Sequence, residues 1–214
     1  TTVVTGGQDS NVRVWTMPRT RVAVADGALT RPAIDRAGAL VATGSYGPDV
    51  TLWRVGQGGD WNRAGGIALP RPLGGAYVCA LSPSGTILAT APTSGGSVQL
   101  WDVRDPATPK PFGDPVPLDT RFTSALAFGP DGTTLVTGAD DSTVQLWDIA
   151  DPAEPVPWGR PLTGPKNLVR SAAISPDGRS LVVTSADSEI YAWNVTDPRS
   201  PTRVNVSDGH ATGV

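Results

Sequence analysis

Histidine and cysteine, which carry much acid–base, nucleophilic and metal chemistry, are scarce in this sequence. The 214 residues hold one histidine, His210, and one cysteine, Cys79. A nucleophile needs a base within hydrogen-bond reach, and His210 stands far along the chain from Cys79. One His and one Cys do not make a zinc-type ligand set. Cys79 lies in the apolar run Tyr77-Val78-Cys79-Ala80-Leu81, so its thiol reads as a small buried hydrophobe. With no second cysteine it forms no internal disulfide. The phosphate-cradling patterns are absent: Gly56-Gln57-Gly58-Gly59 is glycine-rich, but no Lys-Ser or Lys-Thr pair follows it. Three aspartates recur at one place, Asp9, Asp141 and Asp187, each six residues before a tryptophan. A repeated position marks a structural hydrogen-bond acceptor rather than a member of a converging acid pair. The expectation is no catalytic residue, no metal and no cofactor.

The elements that hold these residues follow a repeat. Trp15, Trp53, Trp101, Trp147 and Trp193 are spaced by 38, 48, 46 and 46 residues. Ser82-Pro83-Ser84-Gly85, Gly129-Pro130-Asp131-Gly132 and Ser175-Pro176-Asp177-Gly178 precede their tryptophans by 15 or 16 residues, counted from the Gly. Asp35-Arg36-Ala37-Gly38 takes the same place before Trp53. A third marker, Asp-Pro-x-x-Pro, begins four residues after Trp101, Trp147 and Trp193, at Asp105, Asp151 and Asp197.

One unit can be read as physics. Ser124 to Phe128 is a short apolar run that suits a strand. Pro130-Asp131-Gly132 is a tight turn, with Pro fixing φ and Gly accepting positive φ. Thr134 to Thr137 is a second strand and Thr143 to Ile149 a third. Alternation puts Val144 and Leu146 on one face and Trp147 and Ile149 on the other, so both faces are covered. Asp151 to Pro157 is a Pro-rich connection, and Trp158 to Leu162 an outer strand. Trp61, Phe112 and Trp158 share a place near the start of that strand, which reads as packing. Four short antiparallel strands buried on both faces fit a blade stacked between neighbours. The predicted fold is all-β, a β-propeller of four-stranded antiparallel blades with about five blades present.

The stretch Leu135-Val136-Thr137-Gly138-Ala139-Asp140-Asp141-Ser142-Thr143-Val144-Gln145-Leu146-Trp147-Asp148 resembles the WD-repeat family. The Trp-Asp pair stands at Trp101-Asp102 and Trp147-Asp148; elsewhere it reads Trp193-Asn194, Trp53-Arg54 and Trp15-Thr16. Members of the family commonly hold each blade with a hydrogen-bonded His, Ser or Thr, Asp and Trp. The resemblance assigns that motif to Thr5, Asp9 and Trp15, to Thr137, Asp141 and Trp147, and to Thr184, Asp187 and Trp193. The units of Trp53 and Trp101 have Gly47 and Gly95 in place of the Asp. The interior junctions lack the His, with Pro165 standing where the next junction has His210. Blades held mainly by apolar packing are therefore expected. The predicted blades are residues 1–27 (incomplete), 28–70, 71–119, 120–165 and 166–209, with the start of another at 210–214. This is read as a fragment of a larger propeller, seven blades being the usual family form.

Composition narrows the partners. The net charge is −3 and basic residues do not cluster, so neither nucleic acid nor an anionic membrane is expected as a partner. No apolar run reaches the length of a membrane-spanning helix. Fifteen Arg against two Lys, with abundant Ala, Gly and Pro, suggests a GC-rich bacterial coding sequence. Tyr77 and Arg170 share a place near the start of the innermost strand, with Arg121 close by. Tyr and Arg are favoured at binding hot spots, so these three are the candidate protein contacts. The expected function is a protein-interaction scaffold. The resemblance further implies a cytoplasmic docking or sensory module of a larger bacterial signalling protein, fused to a catalytic domain outside this chain. The alternative is a propeller enzyme or small-ligand binder using the central channel, which would need converging acids, histidines or metal ligands.

Overall fold

Short β-branched runs cut by Gly and Pro leave helices no room, and the described backbone is strand and turn. The computed structural model describes residues 2–6, 11–16, 19–24, 29–45, 49–56, 60–69, 77–92 and 95–204, with side chains described within 32–44, 49–56, 60–69, 78–92 and 95–204. The first sheet has three strands, β1 (Thr2–Gly6), β2 (Asn11–Thr16) and β3 (Arg19–Val24), in that order. The second contains β4 (Leu29–Ile34), β5 (Leu40–Ser45), β6 (Asp49–Val55) and β7 (Trp61–Ala68). The third contains β8 (Tyr77–Leu81), β9 (Ile87–Pro92), β10 (Ser97–Asp102) and β11 (Lys110–Pro117). The fourth contains β12 (Thr123–Phe128), β13 (Thr134–Ala139), β14 (Val144–Asp148) and β15 (Val156–Leu162). The fifth contains β16 (Val169–Ile174), β17 (Ser180–Ser185), β18 (Ile190–Asn194) and β19 (Thr202–Val204). Strands neighbouring in sequence pair antiparallel within each sheet, as in a β-propeller blade.

The turns explain the repeat. Gly38, Gly85, Gly132 and Gly178 all have φ between +68° and +75°, a region a side chain would strain. In the 129–134 turn, Asp131 Oδ1 accepts the amides of Thr133 and Thr134, and Oδ2 accepts the Thr134 hydroxyl. Asp35, Ser82 and Ser175 take amides at the equivalent turns, so several short polar residues serve. The innermost strand carries a register irregularity in three sheets, between Leu29 and Pro32, Thr123 and Ala125, and Val169 and Ser171. Such a bulge bends the strand. The outer strand β15 begins at Val156, two residues before the expected start at Trp158, and so includes Pro157. Proline is tolerated there because the strand is at a sheet edge, where its missing N–H costs no ladder bond.

The chain divides into two compact units, Thr1–Ser94 with Gln99–Phe112, and Gly95–Val98 with Gly113–Val214. In the first unit Ala42, Val50 and Leu52 pack with Cys79, Leu81 and Leu88 of the next sheet. In the second, Val136, Val144 and Leu146 pack with Val169, Leu181, Val183 and Trp193, and Trp158 packs at the margin. Each fully buried Leu or Val here is worth roughly 1.5–3 kcal/mol over leaving it exposed. Close approach is helped by small residues. Gly65 lies against the Pro106 carbonyl, Gly113 against that of Ala153 and Gly159 against that of Arg199. Each outer-strand glycine thus meets the Asp-Pro-x-x-Pro linker of the following sheet. The Asp of each linker accepts the amide two residues on, at Ala107, Ala153 and Arg199, and so sets the turn that presents that carbonyl.

Candidate functional site

The blade tryptophans act through their indole N–H. Trp147 Nε1 donates to Thr137 Oγ1 at 3.0 Å, joining β14 to β13 inside a buried face. The same bond runs from Trp53 to Thr43 at 3.0 Å and from Trp101 to Thr90 at 2.9 Å. Thr43 and Thr90 were not singled out in the sequence, because their units lack the Asp used to index the motif. The missed clue was the ladder: the threonine stands two residues beyond the strand partner of the tryptophan. Leu135 pairs with Trp147 and Thr137 follows, as Val41 pairs with Trp53 and Thr43 follows.

That rule corrects one assignment. Leu181 pairs with Trp193, so the motif position is Val183, and Thr184 belongs to the opposite face. Thr184 stands nine residues before its tryptophan, whereas Thr43 and Thr137 stand ten before theirs. In this blade a different network stands beside the tryptophan. The Tyr191 hydroxyl donates to Asp187 Oδ2 at 2.7 Å, and the same oxygen accepts the Lys166 amide at 2.8 Å. The Tyr191 ring stacks on Trp193, and the Arg203 guanidinium lies 5.2 Å from the Tyr191 ring centroid. Burial and the bond to Asp187 push the Tyr191 phenol up to about 12. Burial works to raise the Asp187 carboxyl, but its hydrogen bonds outweigh it and hold the group below the ordinary aspartate value.

The recurring aspartates are turn formers. Asp141 Oδ1 accepts the amide and hydroxyl of Thr143, and Asp187 Oδ1 accepts the amide of Glu189. Each spans a serine with positive φ, Ser142 at 69° and Ser188 at 70°, a conformation such a side-chain bond supports. The second residue of the Trp-Asp pair works likewise: Asp102, Asp148 and Asn194 accept the amides of Arg104, Ala150 and Thr196. Asn194 keeps the acceptor oxygen, so the departure from Asp leaves this turn intact. Of the first motif set, Thr5 and Trp15 lie on paired strands, with Val3 opposite Trp15, and their side chains fall outside the described residues. Asp9 and His210 fall outside them altogether. The Cys79 thiol is buried, donates to the Ala42 carbonyl at 3.8 Å, and is pushed up to about 12 by that burial.

These repeats have counterparts. Residues 73–102, 120–148 and 159–194 match the family model WD40, described as WD domain, G-beta repeat. The chain belongs to the WD-repeat family. No curated protein matches the sequence. Among solved structures, this WD-repeat chain is similar to a functionally unknown protein from Desulfotomaculum acetoxidans DSM 771, with TM-score 0.78 and 13% identity. The match covers 95% of this chain but 65% of that one, so the present chain spans about two-thirds of its length. At that identity the likeness concerns the fold.

The three candidate contact residues do not form one described cluster. Tyr77 opens β8 in the first unit, and its side chain is outside the described residues. Arg121 and Arg170 are exposed in the second unit, Arg121 just before β12 and Arg170 on β16. Arg121 has a companion the sequence did not single out. Its guanidinium lies 5.5 Å from the ring centroid of Phe122, which is 39% exposed. The Phe122 amide donates to Asp140 Oδ1 at 2.9 Å, and the Asp140 amide donates to the Phe122 carbonyl at 3.1 Å. Among the described residues no cluster of His, Cys, Asp and Glu could hold a metal ion, and no helix is long and apolar enough to cross a membrane.

Proposed function

We propose that this WD-repeat chain is a protein-interaction scaffold, serving as a cytoplasmic docking or sensory module of a larger bacterial signalling or regulatory protein. WD40 repeats generally mediate protein–protein interaction, which supports the scaffold reading. The observation that carries it is the Arg121–Phe122 pair. A single exposed ring is ordinary on a protein surface, but this one lies against the Arg121 guanidinium and is fixed at its backbone by two hydrogen bonds to Asp140. A pre-ordered aromatic beside an arginine loses little freedom on binding, and both residue types concentrate binding energy. The recurring carboxylates are occupied in turns, which suits rigid presentation of loops rather than proton transfer.

The test is affinity capture with the chain as bait. A specific protein should be retained by the native chain and lost at least tenfold from Arg121→Ala and Phe122→Ala chains that keep the native circular dichroism. Capture of nothing specific, or equal capture by all three, would refute the reading.

A further inference from the structure

The second unit contains a cavity of about 290 Å³ beside the Trp147–Thr137 pair. From its lining we infer that it is a receptor for a guanidinium-bearing side chain, an arginine presented by a protein partner. The inference rests on the scaffold reading and names the chemistry that one docking site would recognise.

Size comes first. At about 290 Å³ the space lies near the lower limit of ligand pockets, ~300 Å³, and suits a side chain better than a cofactor. Depth is read from exposure: Asp119 and Asp141 are exposed at the wall, while Thr137 and Trp147 are buried. The walls between are largely apolar and include Pro117, Pro157 and Pro161 together with Trp147.

Charge decides the occupant. Two carboxylates line the cavity and no lysine or arginine does. The adjoining Arg121 has its guanidinium over the Phe122 ring. The remaining side-chain donors are neutral. Gln145 Nε2 gives its hydrogens to the Leu146 and Trp158 carbonyls, leaving only the acceptor Oε1. The Thr143 hydroxyl donates to Asp141 Oδ1, while the Thr137 hydroxyl receives the Trp147 indole N–H and keeps its own O–H. Thr120 Oγ1 is buried without a hydrogen-bond partner among the described residues. Asp141 Oδ2 and the Asp119 carboxylate therefore present acceptors toward a space with a tryptophan wall. A planar cation with five donors matches that set, since it can bond carboxylates at its edge and lie against an aromatic or apolar wall with its face. Lysine offers three donors on a point charge and fits less well.

The experiment titrates the chain with acetyl-arginine amide, following the Trp147 indole N–H and the Thr120 and Asp141 amides by ¹⁵N-correlated NMR. Acetyl-citrulline amide, a neutral compound of nearly the same shape, is the control. The expected result is saturable shifts at these three groups with the arginine probe, at least tenfold weaker with citrulline. Asp141→Asn and Asp119→Asn should each weaken the arginine response several-fold. Equal responses to the two probes, shifts elsewhere only, or none at all would overturn the assignment. Failure here with partner capture intact would remove the cavity and leave the scaffold. Failure of capture with arginine binding intact would do the reverse.

Discussion

Gly138 is where blade stacking can be tested most sharply. It lies in β13 with no positive φ, so alanine is allowed by the backbone. A Cβ built there would stand 2.4 Å from Val169 Cγ1 and 3.0 Å from Val169 Cβ, on the innermost strand of the next sheet. Carbon contacts are comfortable at about 3.5 Å, so the shortfall is about 3.5 − 2.4, or about 1.1 Å. Val169 cannot easily yield. It is fully buried and β-branched, and its carbonyl accepts the Ser124 hydroxyl. Overpacking of this kind costs about 1–3 kcal/mol. Loss of the glycine's unfolded-state freedom returns about 0.4–1 kcal/mol. Gly138→Ala should therefore destabilise by about 1–2 kcal/mol. Val169→Ala alone removes two methyl groups and should cost about 2 kcal/mol with its cavity. The double variant should cost little more than Val169→Ala, because the 2.4 Å contact has gone and only the milder contacts to Cβ of residue 169 at 3.0 Å and of Ala125 at 3.2 Å remain. Urea unfolding of all four chains, followed by tryptophan fluorescence and circular dichroism, gives the cycle. Additivity within about 0.5 kcal/mol would refute the contact between these two sheets.

Thr137→Val keeps the shape but strands the Trp147 indole N–H in a buried face, and should cost about 1–3 kcal/mol by the same unfolding assay. Thr184→Val, on the opposite face of its sheet, should change stability by less than about 0.5 kcal/mol; a loss equal to that of Thr137→Val would restore Thr184 to the motif. The Tyr191–Asp187 pair makes stability depend on pH in two directions. The Tyr191 pKa is raised in the fold, so its contribution is complete below the ordinary tyrosine value of about 10 and is lost as pH rises toward about 12. The Asp187 pKa is lowered, so its contribution is complete above the ordinary aspartate value of about 3.9 and is lost as pH falls below it. Tyr191→Phe should flatten the alkaline arm of the stability profile, and an unchanged alkaline arm would count against the network.

Blade architecture was legible because it depends on local chemistry. A glycine needing positive φ, an aspartate bridging a turn and a β-branched run each act within a few residues, so Gly132, Asp131 and Thr134 can be read in order along the chain. The tryptophans marked the third strand for the same reason. The hydrogen-bond partner of each tryptophan was less legible, because it sits across a ladder. Thr43 and Thr90 went unread, and Thr184 was chosen where Val183 stands.

Other features rest wholly on tertiary contact. That Gly65, Gly113 and Gly159 each meet the linker of the next sheet follows from how neighbouring sheets stack. Spacing does hint at it, since each lies twelve residues after a blade tryptophan, but spacing cannot say what a glycine touches. The bonds that tie Phe122 to Asp140 and the acidic cavity beside Trp147 arise where separate turns converge. The sequence by itself determined the strands and the turns. Tertiary structure alone decided which residues meet across ladders and between sheets, because register and stacking join groups that the chain order keeps apart.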